Sequence, residues 1–181
     1  MTYKWIEEDR SLVTRSAEEL DQYLSSQVLL WRIAGLETPL TPGNLLLSMR
    51  RLMAVEDTKS ISPQDRIISL VDTRRAAWVK KAGLELSMRV NQWDELVEEI
   101  NRYGSLDASF QYSARARVII DLLSAETRTI ENDLQLRVEN ADRRLLLMTI
   151  PGKFIWDAEL REAFPPETYP YLYLQAGKQD E

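Results

Sequence analysis

The densest run of side chains able to do chemistry is acidic: Asp94, Glu95, Glu98 and Glu99, with Glu131 and Asp133 further along. Mg²⁺ takes oxygen ligands, and carboxylates three or four residues apart on a helix lie on one side and can share a cation. Asp94, Glu95 and Glu98 are therefore the candidate metal ligands. The reaction they would support is Mg²⁺-dependent phosphoester hydrolysis. The facing part of the chain carries no second acidic pair at matching depth, and a solvated acidic helix face explains the same residues.

The basic counterpart is Arg74-Arg75 with Lys80-Lys81, on either side of Trp78. Charge-assisted hydrogen bonds from such groups to oxyanions are strong, which makes Arg74, Arg75, Lys80 and Lys81 a candidate phosphate or carboxylate site. Arg50-Arg51 and Arg143-Arg144 are further pairs that folding could bring to it. Solvated faces that pair with nearby acids such as Asp72 and Asp142 are the plainer account. The positive charge is mostly arginine, 17 against 6 lysines. The planar guanidinium suits interfaces and anion sites, although genomic base composition produces the same bias.

Two absences narrow the chemistry. The chain has neither histidine nor cysteine. This excludes serine–histidine triads, thiolate nucleophiles, disulfides, and zinc or iron–sulfur sites built on these ligands. The 6 glycines stand singly and form no phosphate-cradling loop. Catalysis is left to carboxylates, Lys, Tyr, Ser or a bound cation. No cofactor is implied, and a non-enzymatic role is the leading expectation.

Composition bounds the rest. The 181 residues are 44% hydrophobic, enough to bury a core, so a single domain 1–181 is expected rather than disorder. The formal charge is −6, with 9 acids and 7 bases in 1–61, 14 and 13 in 62–150, and 6 and 3 in 151–181. No segment is net basic, which argues against a nucleic-acid partner. No uncharged apolar run reaches the ~18 residues a membrane span needs. The opening MTYKWIEEDR is too acidic and polar for a signal peptide, so a cytoplasmic location is expected.

These side chains need elements to place them. Ser16 and Glu19 have capping-box spacing, and Leu20, Leu24, Val28 and Trp31 follow at helical intervals up to Gly35. Pro39 breaks the chain, and Thr41-Pro42 reads as a cap with a first-turn proline for a second helix through Leu45, Leu46, Met49, Leu52 and Met53. Ser62-Pro63-Gln64-Asp65 is a third start. From there Ile68, Val71, Val79, Ala82, Leu86, Val90, Trp93, Val97 and Ile100 form one helical stripe, interrupted by Arg75. Past Gly104 the pattern resumes as Tyr112, Ala116, Ile119, Leu123, Ile130, Leu134, Val138, Ala141, Leu145 and Met148, interrupted by Glu126. A buried arginine needs a partner, and Glu126 is the candidate for Arg75.

The predicted fold is mainly α. It is a helical bundle built on a long antiparallel hairpin, 63–103 and 107–149, preceded by two shorter helices within 1–61. Each arm of about 40 residues would be roughly 60 Å long. The alternative is α+β, with an antiparallel sheet formed from 84–150. Leu84, Leu86, Met88 and Val90 alternate with polar residues, as do even positions from Phe110 to Leu122. Richness in Ala, Leu, Glu and Arg, and few turn signals, favour helix. The tail 151–181 should hold a short helix, 156–164, stopped by Pro165-Pro166, then an extended aromatic run, 168–174.

A second apolar set on the first arm, Leu70, Ala77, Leu84 and Met88, lies nearly opposite the stripe. Such a helix is buried between neighbours, and the N-terminal helices, together at most ~47 Å long, cover one flank. The other flank is expected to associate with a second copy, unless the tail folds over it. Tyr169, Tyr171 and Tyr173 form another candidate interaction surface, docking on a partner's groove or sheet edge, or else anchoring the tail to its own domain. The reading is a non-enzymatic helical interaction or scaffold protein acting as a homodimer. A domain binding a small ligand or protein partner, and a Mg²⁺-dependent phosphohydrolase, are the alternatives.

Overall fold

The computed structural model describes residues 4–103, 106, 109–127 and 131–177. The chain is mainly α, and the described residues of 84–148 form helices joined by short turns with no strand, so the sheet alternative does not hold. Among the described residues the sheet is one short antiparallel pair, β1 (Thr149–Pro151) with β2 (Leu174–Ala176), in register Ile150 to Gln175.

Helix α1 runs Lys4–Ser25, so Ser16 is not its cap; it is fully buried mid-helix. The helical spacing continues upstream through Trp5, Asp9 and Leu12, and this tertiary face overrides the local start signal. The helix also stops earlier than expected. Ser25 and Ser26 turn their hydroxyls onto the carbonyls of Asp21 and Tyr23, competing with the backbone for its own acceptors. Trp31 therefore lies in a loop, where it exchanges backbone hydrogen bonds with Leu40 and donates its indole N–H to Glu19. Gly35 supplies the positive φ of that loop, +78°, in place of a helix stop.

Helix α2 (Pro42–Ala54) begins as the sequence predicts: the Thr41 side chain accepts from the Asn44 N–H and Pro42 occupies the first turn. Helices α3 (Ile61–Thr73) and α4 (Arg75–Tyr103) are the first arm, broken at Arg74. Thr73 returns its hydroxyl to the Ser69 carbonyl at this break, a bond that bends helices. Helix α4 alone has 29 residues, about 43 Å.

The second arm is not one helix. It comprises α5 (Phe110–Ser113), α6 (Arg115–Thr127) and α7 (Asn132–Met148), and both α6 and α7 pack against α4. Arg75 meets Glu126 while Trp93 meets Phe110, so α6 runs antiparallel to α4. Arg137 reaches Asn91 and Asp94 whereas Arg144 reaches Glu98, so α7 runs parallel to α4. The predicted arm is therefore two helices of opposite direction, α6 ending at Thr127 and α7 beginning at Asn132. Gly104 and Ile130 lie outside the described residues.

Two apolar clusters share α2 and α4. One gathers α1, α3, the start of α4 and the 31–40 loop around Leu20, Tyr23, Leu45 and Trp78. The other gathers α4, α6, α7 and the tail around Leu86, Trp93, Ile119 and Tyr171. Each fully buried Leu, Ile or Phe contributes roughly 1.5–3 kcal/mol. The tail forms short 3-10 turns at Ala158–Leu160 and Pro170–Tyr173, not the helix and extended run predicted there.

Candidate functional site: a groove between α4 and α6

The exposed end of the α4–α6 contact opens into a groove of about 580 Å³. From α4 it receives Met88, Gln92, Glu95, Leu96 and Glu99, positions three or four apart that share one side of the helix. Glu37 to Pro39 form a loop wall, and Ala116 and Ile119 of α6 also line it. Leu30, Tyr112, Arg115 and Glu8 are also in the lining.

A buried carboxylate holds this wall in place. Glu85 is fully buried, accepts the Thr41 hydroxyl at 2.7 Å and the Gly43 backbone N–H at 2.6 Å, and binds Arg89. It thus supplies negative charge to the positive end of α2. Arg89 donates to the Asn44 side-chain oxygen at 2.9 Å, and the Asn44 amide donates to the Pro39 carbonyl at 3.0 Å. A continuous chain of hydrogen bonds therefore runs from the core of α4 to the loop wall. Glu85 and Gly43 carry no sequence signal for this role, because their contact joins residues 42 positions apart.

The groove is acidic. It is lined by Glu8, Glu37, Glu95 and Glu99 against Arg89 and Arg115, and the charge of Arg89 is already balanced by Glu85. Glu8 pairs with Lys4; among the described residues, Glu37, Glu95 and Glu99 make no ion pair.

A smaller pocket of about 280 Å³ adjoins the groove, lined by Arg51, Gln111, Tyr112, Arg115, Trp156, Asp157 and Leu160. Behind it Arg51 and Asp9 form a buried pair, Nε to Oδ2 3.2 Å, and Ser48 donates to the other Asp9 oxygen at 2.8 Å. Burial raises the Asp9 pKa and lowers that of Arg51, since desolvation outweighs their mutual attraction.

The predicted anion cluster does not converge. Arg74 binds Asp21 and Ser25, Arg75 binds Glu126, and Lys80 is exposed. Lys81 donates to the Val28 carbonyl at 2.6 Å, with its ammonium over the Tyr23 ring. The predicted metal ligands are also separated. Asp94 accepts from Arg137 and Arg144 and Glu98 from Arg144, while Glu95 faces the groove. Among the described residues no group of three acids could hold a metal ion.

Of the predicted interaction surface, Leu70 and Ala77 pack against the α1 cluster, Leu84 is exposed, and Met88 lines the groove. Tyr169 and Tyr171 are each only 3% exposed, and Tyr173 is partly buried. The tail folds onto its own core because its rings continue an aromatic row from Phe164 through Tyr169 and Tyr171 to Trp93. No family model, curated protein or solved structure matches this chain.

Proposed function

We propose that the chain is a non-enzymatic interaction protein whose α4–α6 groove receives a basic, partly apolar segment of a partner protein. The observation that carries this reading is the charge pattern on the groove. Glu37, Glu95 and Glu99 surround apolar side chains and are free of ion pairs to the described residues. Lysine or arginine on an amphipathic partner would complete them, while its apolar face would cover Leu30, Met88 and Leu96. A second copy fits this groove less well, since the chain itself carries a net charge of −6. Self-association retains support on the neighbouring face, where Val28 and Leu84 are about half exposed. No helix among the described residues is long and apolar enough to cross a membrane.

Fluorescence anisotropy with a labelled Lys/Leu amphipathic peptide and its Glu/Leu counterpart tests the reading. The basic peptide should bind saturably, and Glu95→Lys with Glu99→Lys should weaken it by about tenfold or more. Glu131→Lys with Asp133→Lys, equal in charge but outside the groove, should leave binding near wild type. Equal losses in both variants, or no preference for the basic peptide, would remove the groove assignment. Sedimentation of the protein alone reads self-association: a dimer that dissociates on Leu84→Glu would assign the neighbouring face to a second copy.

A further inference from the structure

We propose that the pocket beside Arg51 and Arg115 is a binding site for a small organic carboxylate with an apolar body. Its two cations come from different elements, α2 and α6, and both line a cavity of about 280 Å³. The Arg51 side chain is 11% exposed and stacks over the Trp5 ring at 4.4 Å. Its Nε lies near Asp9 but has no aligned hydrogen bond among the described residues. Buried donors in folded proteins are nearly always matched, and a guanidinium has five of them. Arg115 makes no hydrogen bond or ion pair with any described residue and only lies over the Tyr112 ring, 5.2 Å away.

The two like charges repel across this wall: the charge of Arg115 acts against that of Arg51. An oxyanion between them would relieve the repulsion and accept from Arg115, whose guanidinium has no acceptor among the described residues. Carboxylate and phosphate share that chemistry, and the remaining lining favours the first. Asp157 in the lining and Asp9 behind Arg51 offset the charge of the two arginines, which suits a monoanion better than a dianion. Tyr112 and Trp156 offer apolar surface to the rest of the ligand. The Trp156 indole N–H already donates to the Gln111 carbonyl at 2.8 Å, so this ring serves as a wall. The pocket shares Tyr112 and Arg115 with the groove, yet the inference does not rest on a protein partner.

Titration of the full chain with benzoate, acetate and inorganic phosphate tests it, followed by calorimetry and by tryptophan fluorescence, since Trp156 reports from the pocket. Benzoate should bind with one-to-one saturation and more tightly than acetate or phosphate. Arg115→Gln, at a partly exposed position with an unchanged melting temperature as its control, should weaken benzoate by about tenfold or more. Asp157→Asn should strengthen benzoate and raise phosphate binding more. Glu95→Lys with Glu99→Lys, which reverses the groove's charge but leaves the pocket lining intact, should not weaken benzoate. The proposal is overturned by no saturation below about 10 mM, by an unchanged affinity in Arg115→Gln, or by loss in the groove variant. A wild-type preference for phosphate over benzoate would overturn the carboxylate assignment.

Discussion

Arg75 Nη1 lies 2.7 Å from Glu126 Oε2, and the same carboxylate oxygen accepts the buried Trp78 indole N–H at 2.9 Å. These are the two polar residues that interrupt the apolar stripes of the hairpin, and each answers the other. The second guanidinium nitrogen also donates to the Glu126 backbone carbonyl at 2.8 Å, tying the start of α4 to the end of α6.

The indole contact should matter more than the ion pair. Arg75 and Glu126 side chains are 39% and 25% exposed, so water screens their charge interaction, and Arg75→Gln should cost below about 1 kcal/mol. Glu126→Ala also leaves the N–H of nearly inaccessible Trp78 unmatched, a cost of about 1–3 kcal/mol. Urea unfolding of both variants gives the order; equal losses would assign the energy to the ion pair instead.

The Glu85 clamp should be among the most sensitive points of the fold. Glu85→Ala strands Arg89 and opens the α2 cap, with an expected loss of about 3–5 kcal/mol. A Cβ on Gly43 would overlap Ile119 Cγ2 and stand 2.8 Å from Glu85 Oε1, so Gly43→Ala should cost about 1–3 kcal/mol. Thermal melting reads both, and a neutral Gly43→Ala would mean that α2 does not approach α6 this closely.

Two aspartates should titrate with opposite effects on stability. Burial, opposed by Arg51 and Ser48, raises Asp9 above its ordinary 3.8, so the folded chain holds that proton longer than the unfolded one. The contribution of Asp9 falls as pH rises through its folded pKa. Asp57 is lowered, chiefly by the hydrogen bond from Arg10; its contribution is present above 3.8 and is lost as pH falls through its folded pKa. Asp9→Asn should therefore gain on wild type as pH rises above 3.8, and Asp57→Asn should lose ground as pH rises from the folded pKa of Asp57 to 3.8. Urea unfolding across the acid range checks this, and slopes of the same sign would contradict it.

The tail should be part of the cooperative fold. The Tyr171 hydroxyl donates to Asp121 at 2.7 Å, and its ring packs beside Trp93 with Arg117 against its face. Tyr171→Phe should cost about 1 kcal/mol and Tyr171→Ala about 3–5 kcal/mol. Near-neutral values for Tyr171→Ala in guanidinium unfolding would show a tail that is undocked in solution.

Local chemistry was legible wherever one segment decided it. Thr41-Pro42 forms its cap because cap and first turn are neighbours in the chain, and the helical class follows from periodicity and residue type. Even the distant pair of Arg75 and Glu126 could be read, since each is the polar exception in an apolar stripe. The fold of the second arm was not legible. One long helix, and two shorter ones that both face α4, need the same apolar spacing from Ala116 to Leu145, so the pattern is blind to the opposite directions of α6 and α7. Tertiary packing likewise decided that Ser16 is core instead of cap, and that Tyr169 and Tyr171 cover their own domain. It also separated Glu95 from Asp94 and Glu98: one turn of helix puts adjacent carboxylates on different sides, the first toward an open groove and the others toward the arginines of α7.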